Sequence, residues 1–146
     1  MSDIFGKVVA ILLCAWLMFL YPLQQMREEN QQLERMYIYQ ESVRFLDAVR
    51  NTGKITSEGW QAYRKKISNM NDLYQISLSH EHLNQSNEQP GYEYYYDAQI
   101  MQQLEQQAEY VLGYNDFIKV VVEDSENHMI ACYGGSVKTG GEDETN

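Results

Sequence analysis

The sequence predicts an α+β fold: an N-terminal transmembrane helix continuing into an amphipathic stalk helix, then a small head with a helix pair packed on a short antiparallel sheet. Three observations predict it. Residues 8–20, VVAILLCAWLMFL, contain no strongly polar side chain. From Leu33 to Val49, apolar residues recur at spacings of three and four. Residues 73–82 and 117–123 instead read as strands, the first by alternation and the second by its β-branched run.

The apolar run is the first element. Counted from Ile4, it makes about 30 Å of helix at roughly 1.5 Å per residue, enough to span a bilayer, with Lys7 reaching back to the near interface. A cleavable signal peptide would place small residues after this run, but the chain continues LYPLQQM. The expectation is an uncleaved anchor over residues 8–23, contacting lipid. Residues 1–7 are expected in the cytoplasm and the rest of the chain outside the cell membrane, because the short head gives the large distal part the simpler route across. The basic residues flanking the span, Lys7 on one side and Arg27 and Arg35 on the other, give no clear vote on orientation.

Charge supports an extracytoplasmic head. The 146 residues carry a formal net charge of −10, unevenly placed: residues 1–66 hold nine Lys/Arg and seven Asp/Glu, residues 67–146 two and fourteen. So acidic a distal half repels nucleic acid and anionic lipid, which excludes a general phosphate binder. Cys14 lies in the apolar run and Cys132 far from it, so no intramolecular disulfide framework is expected, and Cys132 is read as a small buried hydrophobe.

Residues 24–51 are the expected stalk helix, with the apolar stripe Leu33, Met36, Tyr39, Val43, Leu46 and Val49, and a bend near Pro22. This stripe packs either on the following domain or on a partner helix, which makes Met36, Tyr39, Val43 and Leu46 candidate partner-binding residues. Gly53 ends the helix, Thr56 caps the next one, and Ile55 with Trp60 has the spacing of a hydrophobic staple. Trp60, Tyr63, Ile67 and Met70 form the inner stripe of that second helix. Arg64, Lys65 and Lys66 fall outside it, as a solvated face or a contact for headgroups or a partner.

Beyond residue 72 the period becomes two: Tyr74, Ile76 and Leu78 on one face, with His80 and His82 projecting from the same side. A His-x-His pair can open a metal site, but zinc wants three or four ligands and nothing nearby in the sequence completes the set; His128 is a remote candidate. No metal or cofactor is therefore expected. Residues 83–96 read as a polar loop turning at Pro90-Gly91, followed by Tyr92, Tyr94, Tyr95 and Tyr96, which either form a contact surface or close over a small core.

Asp97 is the expected cap of a helix with Met101, Leu104, Ala108 and Val111 inside, stopped by Gly113. Residues 117–123 and 128–133 form a hairpin around the turn residues 124–127. The head thus covers residues 52–138, and residues 139–146 form a flexible acidic tail. No internal repeat, phosphate loop, Cys-x-x-Cys pair, nucleophile elbow or His-Glu-x-x-His run occurs, and no enzymatic activity is expected.

The hydrophobic N-terminus, FLDAVRNTGKITSEGWQAY (residues 45–63), LYQISLSHEH (73–82), YNDFIKVVVE and IACYGGSVK together resemble small membrane-anchored pilin-like proteins. Those are encoded in tight-adherence (Tad or Flp-type) pilus gene clusters of Gram-positive bacteria, especially clostridia. The resemblance implies a non-enzymatic accessory or minor-pilin-like envelope component whose partners are other pilin-like or pilus-assembly membrane proteins. One feature departs from the pattern: Gly6-Lys7 is followed by Val8 to Ile11 with no Glu, the residue that peptidase-processed pilins usually carry near the start of the mature helix.

Overall fold

The computed structural model describes residues 2–71, 73–84 and 91–140. The Pro90 turn, Asp72 and most of the expected acidic tail lie outside these residues. The chain divides into two compact units, Met1–Met36 and Tyr37–Asn146. Helix α1, Ser2–Thr52, supplies the first unit and the first element of the second, its backbone helical through Pro22.

In the first unit, Asp3–Leu20 is long and apolar enough to cross a bilayer, with a mean hydropathy of 2.1 and none of it buried in protein. A membrane anchor and a signal sequence both have this character.

The second unit is α+β. Its elements after α1 are β1 (Lys54–Thr56), α2 (Ser57–Ser68), β2 (Gln75–Asn84), β3 (Gly91–Tyr96), α3 (Asp97–Gln107), β4 (Glu109–Val111), β5 (Phe117–Glu123) and β6 (Met129–Ser136). The strands form a four-stranded antiparallel sheet in the order β3-β2-β5-β6 and a two-stranded ribbon, β1 with β4. One core joins Ile38, Leu46 and Val49 of α1, Trp60, Tyr63 and Ile67 of α2, Ile100 and Leu104 of α3, and the alternate residues Leu78, Ile118, Val120 and Val122 of the sheet.

The junction between α1 and α2 follows the sequence closely. Gly53 has φ 68° and its amide donates to the Val49 carbonyl at 2.8 Å, ending α1 in the left-handed conformation that glycine adopts most easily. Thr56 Oγ1 accepts from the Gly59 amide at 3.1 Å and caps α2. Ile55 and Trp60 are both buried.

The buried stripe of α1 agrees with the expected one at Leu46 and Val49 and departs from it before them. Ile38, Glu41, Ser42, Leu46 and Val49 face the core, whereas Leu33, Met36 and Tyr39 are exposed and Val43 is half-buried. Hydropathy conceals this phase because two inward positions are polar and internally matched. Ser42 Oγ donates to the Ile38 carbonyl and accepts from the Tyr63 hydroxyl at 2.7 Å. Glu41 pairs with Lys66 of α2 at 2.6 Å and with Arg44 at 3.0 Å. All three basic residues on α2 are exposed, and Lys66 also links two helices through Glu41. Met70 lies beyond the end of α2 and is exposed.

Three further expectations change. Among the described residues the sheet has four strands, because residues 91–96 are not loop but pair with Ser79–Asn84 of β2. The third helix ends at Gln107, where Ala108 takes φ 61°, and the chain turns into β4 instead of continuing to Gly113. Asp97 Oδ1 accepts from the Leu78 amide at 3.2 Å, tying α3 to β2, while the Tyr96 amide donates to Gln99 Oε1 at the start of the helix.

The β5–β6 hairpin is as expected, with Asp124 Oδ1 accepting from the amides of Glu126 and His128. The extension of β6 through Gly134 and Gly135 makes room for Arg50 of α1. A Cβ on Gly135 would lie 2.6 Å from Arg50 Cζ, and Arg50 Nε donates to the Ser136 carbonyl at 2.8 Å.

Candidate functional site

The site begins at the end of the sheet where the apolar rows stop. Along β2 the inward residues run Ile76, Leu78, His80 and His82, and the antiparallel register sets Ile76 against Val122, Leu78 against Val120 and His80 against Ile118. The last registered pair is Glu81 with Phe117, so the next position places Asp116 across from His82. Asp116 is held there by its backbone. Its amide donates to the Gly113 carbonyl at 3.2 Å and its carbonyl accepts from the Val137 amide at 2.8 Å.

The Asp116 side chain is 4 % exposed and accepts three hydrogen bonds. His80 Nε2 lies 2.8 Å from Oδ2, His82 Nδ1 2.7 Å from Oδ1, and the Gly113 amide 2.7 Å from Oδ2. A carboxylate at neutral pH only accepts, so each ring donates to it, and in a neutral ring the other nitrogen keeps its lone pair. For His80 that nitrogen is Nδ1, 2.7 Å from the Tyr110 hydroxyl, which therefore donates to it.

Titration shifts agree with this proton arrangement. Burial pushes the His80 pKa down, against the opposing hydrogen bond and charge of Asp116, and so favours the neutral ring. Burial likewise pushes the Tyr110 hydroxyl up, which keeps its proton in place. The Tyr95 ring stacks on His80 with centroids 5.3 Å apart. Its hydroxyl donates to Glu93 Oε2 at 2.9 Å, and that bond raises its pKa.

A cleft of about 580 Å³ opens over this network, lined among others by His82, Tyr95, Gln103, Tyr110, Tyr114 and Asp116. The His82 side chain is 44 % exposed, so it joins the buried carboxylate to solvent. A neutral His82 ring with Nδ1–H committed to Asp116 has its lone pair on Nε2. The cleft therefore offers an imidazole acceptor backed by a buried carboxylate, beside aromatic walls, a pattern suited to holding a small polar ligand or a cation. His80, His82 and Asp116 also place three metal-ligating atoms within 4.8 Å of one another. The third ligand that the His-x-His pair lacked in sequence is supplied by the turn before β5. His128 stands elsewhere, exposed beside Asp124 and Glu126.

The other candidate residues are distributed differently. Leu46 is fully buried in the core and has no surface to offer a partner, which removes it from the contact set; Met36 and Tyr39 are exposed. The four tyrosines do not share a face. Tyr95 pairs with His80 and turns inward, whereas Tyr92, Tyr94 and Tyr96 alternate onto the opposite face of edge strand β3 and are exposed. Asp116, Tyr110 and Gln103 were not singled out by sequence reasoning. Asp116 could have been found by extending the β2–β5 register one step beyond the apolar rows; Tyr110 and Gln103 carry no comparable signal.

Searches against protein-family models, curated proteins and solved structures find no match. A functional reading therefore rests on the residues themselves.

Proposed function

We propose that the chain is a membrane-tethered binding module: a single-pass envelope protein whose apolar segment holds it in the bilayer and whose α+β domain captures a ligand in the cleft over Asp116. It acts by binding, not by chemical conversion. The observation that carries the reading is the pairing of a buried Asp116 carboxylate with the half-exposed His82 ring at the mouth of that cleft. The test is native mass spectrometry of the full chain released from nanodiscs. A stoichiometric adduct is expected on the wild type and is expected to be absent from Gln103→Trp, which fills the cleft from the exposed face of α3; equal occupancy in both would overturn the cleft reading.

A second reading, accessory or minor-pilin-like component of a pilus assembly, draws on the resemblance described above and on the exposure of Leu33 and Met36 along α1. Replacing both with Gln is expected to abolish co-purification with other pilin-like membrane proteins while leaving the α+β domain folded.

A further inference from the structure

We propose that His80, His82 and Asp116 bind one divalent transition-metal ion of the zinc class, leaving at least one coordination position open to the cleft. The inference rests on the cleft being a binding site and specifies what it holds.

The donor set is two imidazole nitrogens and one carboxylate, the combination that selects zinc, iron(II), nickel or cobalt over magnesium or calcium, which prefer oxygen alone. The atoms converge. His80 Nε2 and His82 Nδ1 each lie within 2.8 Å of a carboxylate oxygen of the same residue. Around an ion with bonds of about 2.1 Å, neighbouring ligand atoms stand roughly 3 to 3.5 Å apart, so the ion enters by parting contacts already in place. The half-exposed His82 ring has the freedom to make that adjustment.

The surroundings are those of a ligand shell. The second nitrogen of His80 meets the Tyr110 hydroxyl, the kind of outer contact that fixes the orientation of a ligating histidine. The Gly113 amide holds Asp116 Oδ2, and backbone bonds hold the residue itself. His80 stands on β2 and Asp116 directly before β5, its backbone bonded on both sides, so two of the three donors stand on held backbone.

Binding has a proton consequence that balances without net release. Each neutral ring carries its proton on the nitrogen that faces Asp116, and coordination requires that nitrogen's lone pair. The proton therefore moves to the other nitrogen: on His80 to Nδ1, where the Tyr110 oxygen accepts it once its own O–H has rotated away, and on His82 to Nε2, facing the cleft. Both rings exchange tautomer, a change that side-chain nitrogen NMR reads directly.

The experiment is calorimetric titration of the full chain in nanodiscs with Zn²⁺ and Ni²⁺, with Mg²⁺ as the hard-cation arm, joined to histidine side-chain NMR. One Zn²⁺ per chain is expected, with exchanged tautomers at His80 and His82, no comparable Mg²⁺ binding, and affinity reduced by about 100-fold or more in His82→Ala. His128→Ala is expected to leave it unchanged. Asp116→Asn should behave like His82→Ala, and if it fails to fold, the half-exposed His82 decides. Zn²⁺ binding that His82→Ala leaves intact, or no saturable binding at millimolar Zn²⁺, overturns the proposal. If Zn²⁺ fails while Gln103→Trp still removes an adduct from the wild type, only the metal inference falls; if the wild type carries no adduct either, the cleft reading falls with it.

Discussion

His82 Nδ1 and Asp116 Oδ1 stand 2.7 Å apart across 34 residues of sequence, a pairing set by the antiparallel register of β2 and β5. The same carboxylate accepts hydrogen bonds from His80 and from the Gly113 amide, so it joins β2 to the turn before β5 through one buried group. Neutralising it leaves both rings without a charged acceptor. Asp116→Asn is expected to destabilise the domain by about 2–4 kcal/mol, and His82→Ala, at a half-exposed position, by about 1 kcal/mol or less. Urea denaturation of the full chain in micelles, followed by tyrosine and tryptophan fluorescence, measures both; equal effects would contradict the central place given to Asp116.

Tyr63 sets an alkaline limit on stability. Burial, with a smaller contribution from nearby Glu41, pushes its pKa up from 10.0 to about 12, against the lowering hydrogen bond to Ser42. The unfolded chain therefore loses this proton before the folded one does. The resulting stabilisation is complete below pH 10 and is lost as the pH rises through about 12, an effect on the order of 2 kcal/mol. Stability measured against pH should fall less steeply across that interval in Tyr63→Phe than in the wild type; parallel curves would show that Tyr63 ionises equally in both states.

Gly135 gives Arg50 its place. A Cβ there would stand 2.6 Å from the guanidinium carbon, and Arg50 is already bonded to the Ser136 carbonyl and to Asp47. Gly135→Val is expected to displace Arg50 and cost about 1–3 kcal/mol. In an Arg50→Ala background the same substitution should cost much less, and a thermal-denaturation cycle over the four proteins reads the difference.

Lys66 joins α2 to the buried Glu41 of α1. Its removal leaves Arg44 as the remaining cation, so Lys66→Ala is expected to cost about 1 kcal/mol, whereas Arg64→Ala and Lys65→Ala, on exposed side chains, should fall within about 0.5 kcal/mol of the wild type. Denaturation midpoints of the three variants rank these effects.

Local signals in the sequence were sound where a single residue decides the geometry. Gly53 and Thr56 mark the end of α1 and the start of α2 through their own backbone and hydroxyl, and the inward row of β2 follows the alternation of its side chains. Leu46 and Val49 were legible as inward positions of α1, but the phase before them was not, because it depends on Glu41 and Ser42, polar residues whose partners lie on α2, 25 and 21 residues away. β1 and β4, of three residues each, exist only as a pair and have no pattern of their own. β3 was masked by its tyrosines: alternation was present, but both faces carry the same residue type. The site was half legible, since the two histidines were visible on one face of a strand while their carboxylate required the register of another.

The proposed envelope protein would present its α+β domain outside the membrane, and Cys132 on β6, expected from the sequence to be buried but exposed in the structure, is a built-in reporter of that topology. In a Cys14→Ser chain expressed in cells, a membrane-impermeant maleimide is expected to label Cys132 on intact cells, with the protein recovered in the membrane fraction. Labelling only after permeabilisation, or recovery in the soluble fraction, would contradict the account.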